Sequence, residues 1–276
     1  MDPIVSLNLT VHNQEPLLRE VLDRLAHFTR GPYELVIVLD GCKDGSEAIC
    51  AEFIRDHTRL KIKLLQAPNV FETKANNLAA QQSEGEHIVI VQDDMLIAED
   101  GWNQRLIKPL LRWDDIFAVT SRTAHDWVAN PASRDLHRSL DSYRDEEVDW
   151  CDILNHVNHR TRVNTPRDVF IIKDTVNRGP LAIRHADFRQ LGYFDEGFAP
   201  QDMDDHDLCY RARRQLGKRA GIYWINFICK DDWGATRRQG RPVWLYRAHQ
   251  ANMRRVWERH RLLIESPKDE EIRDLR

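Results

Sequence analysis

The chain has 276 residues, 42% of them hydrophobic and 30% charged, enough to bury a sizeable core in one large or two small domains. A formal net charge of -4 and a pI near 6.3 exclude the global basicity of a nucleic-acid binder. No apolar run approaches the roughly 20 residues that a membrane span requires.

Strand and helix patterns alternate from the start. Residues 4–11 (IVSLNLTV) read as a strand, and residues 15–28 carry apolar side chains at helical spacing. Residues 33–40 (YELVIVLD) form a second predicted strand, followed by the turn-rich GCKDGS and a helix over 47–57. A third strand is predicted over 60–66 and a helix over 73–85, with Gly85 placed to end it. The fourth strand, HIVIVQ, runs without a turn residue into Gln92, Asp93 and Asp94. Such alternation implies parallel strands with crossover helices, a Rossmann-like doubly wound, mostly parallel α/β sheet.

The second half is less regular. AVTSRT after Phe117 reads as a fifth strand, and residues 128–167 are polar, rich in Asp, Arg and His, and without a period. That stretch is expected to be a long excursion over one face of the sheet. Order returns over 179–198, then in a helix DHDLCYRARRQLG closing on Gly217. An Arg-rich tail follows, with an amphipathic helix in LYRAHQANMRRVWERHRLLI. There is no repeat or Pro/Gly-rich linker, so residues 1–276 are expected to form one domain. Its parts would be a nucleotide-binding half (1–100), an acceptor-binding half (101–217) and a C-terminal extension (218–276). The N-terminus MDPIVSLNL lacks the pattern of a signal peptide. Five cysteines (Cys42, Cys50, Cys151, Cys209, Cys229) are odd in number and never in C-x-x-C, which fits reduced thiols in a cytoplasmic protein.

In a sheet of this kind ligands collect beyond the carboxyl ends of the strands. Four polar clusters fall there: TVHNQ (10–14), DGCKDGS (40–46), QDD (92–94) and DMDDHDL (202–208). Each has a local reading. Asp40 and Asp44 suit a turn, and His12 and Asn13 suit a helix cap. Asp207 and Arg211 suit a surface i,i+4 pair, and Asp204 and Asp205 suit a helix dipole.

Their order and spacing are more specific, and the chain resembles the inverting nucleotide-sugar glycosyltransferases of family 2, which have the GT-A fold. LTVHNQ stands at the family's T-x-x-N-like segment, and VIVLDGCKDGSEAI looks like its V-D-D-G-S-x-D-G-T loop. ETKANNLAAQQSEGEHIVIVQDDM resembles the stretch from G-K-x-x-A-x-N-x-G to the D-X-D motif. LGYFDEGFAPQDMDDHDLCYRARRQLG is similar to G-G-F-D-E-x-F followed by E-D-x-D-L-x-x-R. The resemblance covers roughly residues 4 to 217.

The resemblance implies a donor that is a nucleotide sugar, usually UDP-linked, and an acceptor hydroxyl on a glycan or other molecule. It also implies Mn²⁺ or Mg²⁺ to neutralise the diphosphate, since hard oxygen ligands suit these ions. Asp94 would sit on the metal, with Asp93 beside it facing ribose or donor sugar. Asp40 would accept a hydrogen bond from the base. Thr10, Asn13, Lys74 and Asn77 would line the nucleotide site, though Lys74 reads equally well as a solvated helix residue. Asp205 would be the general base, with Asp204 orienting it or binding acceptor.

Departures from the pattern are specific. Leu39 replaces the first Asp of V-D-D-G-S, Gln92 the first of D-X-D, and Asp204 the usual Glu. Gln92 is expected to be a neutral hydrogen-bonder to ribose or phosphate. No late H-x-x-x-S is evident, which leaves Asp231, Asp232 or His249 as a further metal ligand. The absence of Q-x-x-R-W argues against a processive synthase. Rival readings are a metal-dependent phosphohydrolase using DDHD, and a non-catalytic nucleotide- or glycan-binding member. His156 and His159 have zinc-like spacing without partners nearby. The Arg-rich tail (Arg237, Arg238, Arg241, Arg254, Arg255, Arg259, Arg261) reads as a solvated face, or as a surface for diphosphate or for peripheral contact with an anionic membrane. Trp127, Trp150, Trp224 and Trp233 suit either sugar stacking or the core.

Overall fold

A computed structural model describes residues 5–128, 149–154, 167–200, 202–229, 233–234, 243–266 and 271–276. The expected alternation is present in the first third. It runs β1 (Val5–Val11), α1 (Glu15–Phe28), β2 (Tyr33–Asp40), α2 (Ser46–Asp56), β3 (Lys61–Ala67), α3 (Phe71–Gln82) and β4 (His87–Gln92). Then come β5 (Met95–Ile97), β6 (Ile116–Thr120), β7 (Ala124–Val128), β8 (Asp149–Leu154), β9 (Val169–Lys173), β10 (Thr175–Val176) and β11 (Leu181–Arg184). A helix Asp204–Leu216, β12 (Arg219–Ile222), β13 (Phe227–Cys229), a C-terminal helix Val243–Ile264 and β14 (Glu271–Asp274) complete the order.

One nine-stranded sheet has the order β14-β9-β12-β6-β11-β4-β1-β2-β3. The β4-β1-β2-β3 block is parallel throughout. Beyond it β11 and β9 run against the other strands. The central strands are buried on both faces, which is why they read as unbroken apolar runs. Alternation divides them between two cores. Val5, Leu7, Leu9, Val89 and Val91 join α1 and α2 on one side, and Ile88 and Ile90 join Leu208 and Ala212 of the Asp204–Leu216 helix on the other. Leu39, the family's missing Asp, lies in the first core.

Two boundaries differ from expectation. The α3 helix ends at Gln82, not at Gly85. Ser83 turns the chain out, its hydroxyl donating to Ala79 O at 2.9 Å. Gly85 is instead a point of close approach, where a Cβ would stand 2.6 Å from Ser6 N. His12 and Asn13 do not cap α1. Asp44 does so from the neighbouring loop, accepting Glu15 N–H at 2.9 Å, and Glu15 returns a bond from Gly45 N at 2.9 Å.

The C-terminal helix is not a solvated appendage. Met253, Val256, Trp257 and Ile264 pack with Trp127, Phe198, Met203 and Tyr210 in a third core. Arg255 donates to Gly197 O, and Arg259 donates to Asp195 at 2.6 Å. These two arginines of the tail therefore hold the turn at Asp195–Gly197, while Arg261 stays exposed with Glu265. Trp127 and Trp224 are core residues. No helix among the described residues is long and apolar enough to cross a membrane. Among the described residues Cys42, Cys50, Cys209 and Cys229 form no disulfide.

Candidate active site

The parallel block brings three of the polar clusters side by side. Register pairs Thr10 with Gln92 on β4 and with Val38 on β2, so the loops after β4, β1 and β2 emerge as neighbours. His12 lies between them. Its backbone N–H donates to Asp93 Oδ2 at 3.0 Å, and its ring Nδ1 donates to the carbonyl of Asp40. Asn13 stays local, accepting Lys43 N–H at 2.7 Å. The Asp40 carboxylate accepts Val70 N–H at 2.6 Å and Phe71 N–H at 2.9 Å, fixing the start of α3 beside the strand ends.

Asp93 and Asp94 form the turn after β4. Burial, aided by the charge of Asp94, pushes the Asp93 carboxyl up to about 8. Asp94 is 5% exposed, and its Oδ1 has no hydrogen-bond partner among the described residues. A buried carboxylate oxygen without a donor is costly unless something cationic meets it. The pair therefore fits a hard divalent cation, held by Asp94 with Asp93 alongside. Among the described residues no three His, Cys, Asp or Glu side chains converge as a metal site. His249 in particular does not join Asp93 and Asp94: its Nδ1 lies 3.1 Å from Asp202 Oδ2. Asp231 and Asp232, the other suggested ligands, lie outside the described residues, as do His156, His159, Arg237, Arg238 and Arg241 and the side chain of Trp150.

The fourth cluster arrives from the far side. Because β11 runs antiparallel to β4, its amino end lies at the carboxyl end of β4, and Arg178 and Gly179 reach the same edge. Gly179, at φ +86°, lies so close to Gln92 that a Cβ would meet the amide. Arg178 is 5% exposed and grips Asp204 with both terminal nitrogens, Nη1 to Oδ2 at 2.7 Å. Its Nε lies 3.2 Å from Glu72 Oε1, the oxygen that also accepts Gln92 Nε2 at 3.1 Å. A continuous chain of contacts thus joins the end of β4 to the start of the Asp204–Leu216 helix.

Asp205 is 4% exposed and accepts two backbone N–H bonds, from Arg178 at 3.1 Å and His206 at 2.9 Å. Burial raises its carboxyl to about 7, with Arg178 opposing and Asp204 reinforcing the rise. Behind it His206 is wholly buried and accepts Trp127 Nε1–H at Nδ1, 3.2 Å. Burial holds the His206 ring well below its ordinary pKa, and so neutral.

One expected residue, Asn77, is engaged away from this edge. Asn77 uses its amide on the 194–196 loop, donating to Phe194 O at 2.9 Å and accepting Phe194 N–H at 3.0 Å. Lys74 is exposed on α3. Asp207 and Arg211 are not a surface pair either. The Asp207 carboxylate is fully buried and meets Arg211 at 2.7 Å, Arg259 at 3.2 Å and His260 at 2.9 Å.

Comparison with known proteins places this arrangement. The sequence profile of Glycosyl transferase family 2 matches residues 6–177, more than half of the chain. The chain belongs to glycosyltransferase family 2. Among curated family relatives, Glycosyltransferase GlyA of Streptococcus pneumoniae is 29% identical over 120 residues, 43% of this chain and 17% of that protein. Glycosyltransferase GlyG of the same organism is 27% identical over 100 residues, 36% of this chain and 33% of that protein. The match therefore spans about a third or less of either relative's length. Among solved structures, the mannosyltransferase PcManGT from Pyrobaculum calidifontis, in complex with GDP-Man and Mn²⁺, has a TM-score of 0.58 at 19% identity. It covers 92% of this chain and 65% of its own. S. aureus TarS 1–349 with UDP-GlcNAc has a TM-score of 0.52 at 17% identity, over 82% of this chain and 58% of its own. At such identities the likeness is one of fold, and the fold is GT-A.

Sequence reasoning missed Glu72, Arg122 and Arg178. Arg122 donates to Gln92 Oε1, and Glu72 and Arg178 form the bridge described above. The family-2 motifs quoted for the chain name none of the three as a site residue. Only the unusual Gln92, which needs donors and acceptors where the pattern has a carboxylate, hinted that new partners stand around it.

Proposed function

We propose that this family-2 protein transfers one sugar from a nucleotide-sugar donor, UDP-linked, to a hydroxyl of a glycan or other acceptor, with inversion and with Mn²⁺ or Mg²⁺. The observation that carries the reading is the convergence of two carboxylate pairs on one edge, Asp93–Asp94 and Asp204–Asp205, joined through Gln92, Glu72 and Arg178. One pair has an oxygen open to a cation, and the other has a carboxyl poised near neutrality.

In this mechanism the donor's diphosphate lies along the carboxyl edge. Asp94 and Asp93 would hold the cation, which would supply positive charge to the leaving diphosphate. Asp40, whose oxygens keep spare lone pairs beyond the two amides they bind, accepts from the base. Thr10 and Asn13 border the nucleotide. Asp205 removes the proton of the acceptor hydroxyl as its oxygen attacks the anomeric carbon from the face opposite the diphosphate. The new glycosidic bond forms, the bond to the diphosphate breaks, and the proton stays on Asp205 until solvent takes it. A carboxyl with a pKa near the working pH is suited to that exchange.

Calorimetric titration with UDP, GDP, CDP and dTDP, each with Mn²⁺ and with EDTA, tests the donor side. Metal-dependent binding of UDP is expected, lost in Asp94→Ala. Binding of none of the four, or binding indifferent to EDTA and to Asp94→Ala, overturns the reading.

A further inference from the structure

Asp205 can act as a base only if a carboxyl with an acidic neighbour, buried as deeply as itself, remains available in its ionised form. Adjacent carboxylates in a low-dielectric setting ordinarily share a proton, since the second charge is opposed by the first. Here the neighbour is neutralised. Asp204 is fully buried, and both its oxygens are taken by the Arg178 fork. The planar guanidinium matches a carboxylate in a way that no single ammonium does.

Arg178 is itself fixed on every side. Its Nε meets Glu72, its guanidinium carbon lies 5.0 Å from the centre of the Phe194 ring, and it is 5% exposed. The main-chain N–H of the same residue donates to Asp205 Oδ2. One residue therefore cancels the competing charge and orients the reacting carboxylate.

We propose that Arg178 is the positioning residue of the transfer reaction: its side chain locks and neutralises Asp204 while its backbone amide aims Asp205, which keeps the base oriented and ionisable. This rests on Asp205 being the base. The other groups around Asp205 do not replace it. Neutral His206 stands 3.8 Å from Asp205 Oδ1, and Cys209 lies one turn along the helix. Asp202, in the preceding turn, faces His249 of the C-terminal helix, and His125 on β7 lies behind His206. Arg178 contacts Asp204 through its guanidinium and Asp205 through its backbone N–H.

The test is a titration of aspartate carboxyl resonances by ¹³C NMR in the full chain, with Asp205→Asn used to assign the Asp205 signal. Four proteins are compared: the wild type, Arg178→Met, Asp204→Asn and the double variant. Arg178→Met leaves a bare carboxylate beside the base, so the Asp205 midpoint moves up by about one pH unit or more. Asp204→Asn leaves a bare guanidinium, so the midpoint moves down by a similar amount. The double variant removes the pair as a unit and returns the midpoint close to the wild-type value. Removing both partners together also spares the fold the cost of one unpaired buried charge. Should Arg178→Met fail to fold, Asp204→Asn and the double variant still decide the matter. One midpoint common to all the folded proteins overturns the proposal and leaves Arg178 a merely structural ion-pair partner. Failure of the base assignment is separate: Asp205→Asn would then transfer sugar at the wild-type rate, whatever the midpoints.

Discussion

Gln92 sits where a carboxylate is usual for the family, and its surroundings explain the change. Its amide nitrogen donates to Glu72 Oε1 and its oxygen accepts Arg122. An aspartate there could still accept from Arg122, but it would meet Glu72 with like charge and have no N–H to donate to it. At Asp205 the raised pKa gives two predictions. The value of kcat/KM should rise with pH through about 7 and level above it; in Asp205→Asn that limb disappears and kcat falls by about 10²–10⁴ with donor affinity kept. A pH-rate profile with calorimetry checks both. The same group also bears on stability. The folded state binds the Asp205 proton more tightly than the unfolded chain, so its favourable contribution is full below about pH 4, the ordinary Asp value, and is lost as pH rises through about 7. Asp205→Asn should therefore melt above the wild type at pH 8. A lower melting temperature there would mean that the carboxylate stabilises the fold. The four carboxylates were legible in the sequence because motif order named them. Glu72, Arg122 and Arg178 were not, because their partners stand 20 to 30 residues away and only the fold brings them together.

At the scale of elements, the buried strands of the parallel block were read nearly to the residue, because burial on both faces leaves an unmistakable apolar run. The edges of α3 were not. Its start is fixed by Asp40 at the end of β2, and its end by Ser83. Gly85 has the look of a helix stop in sequence, whereas its lack of a side chain lets β1 approach. Gly85→Ala should destabilise by about 1–3 kcal/mol through that contact, measured by denaturant unfolding. The Asp204–Leu216 helix carries its own anchor. Asp207 is buried among Arg211, Arg259 and His260, and against the upward push of burial these partners hold its carboxyl below the ordinary value. Its ion pairs thus contribute fully above about pH 4 and are lost as pH falls through the lowered folded value. Asp207→Ala, which strands the three partners, should cost about 3–5 kcal/mol at neutral pH and much less in acid. Urea unfolding at the two pH values would show whether the difference exists.

Across the whole molecule, the α/β class and the placing of a site beyond the strand ends followed from alternation alone, and the family from motif order. The second half of the sheet did not. Strands β9, β11 and β12 are short, and β11 and β9 run counter to the rest, so neither length nor a repeating crossover announced them. The profile match ends at residue 177, before Arg178, Asp205 and the helix that supports them. Removing residues 243–276 would leave every quoted motif intact. It would also bare Trp127, Phe198, Met203 and Tyr210 and leave β9 as an edge strand paired only with β12. That shortened chain is expected to lose sharp thermal unfolding and sugar transfer together, as circular dichroism and a transfer assay would reveal.

The hold of the C-terminal helix on Asp207 also sets an order in time. A ribosome delivers β1 to β4 before the helices that follow them, and these strands can pair as soon as they emerge. Arg259 and His260 follow Asp207 by 52 and 53 residues, and until they arrive Asp207 lacks two of its three partners. The Asp204–Leu216 helix can therefore settle only after the C-terminal helix has emerged, well after the parallel strands have had time to pair.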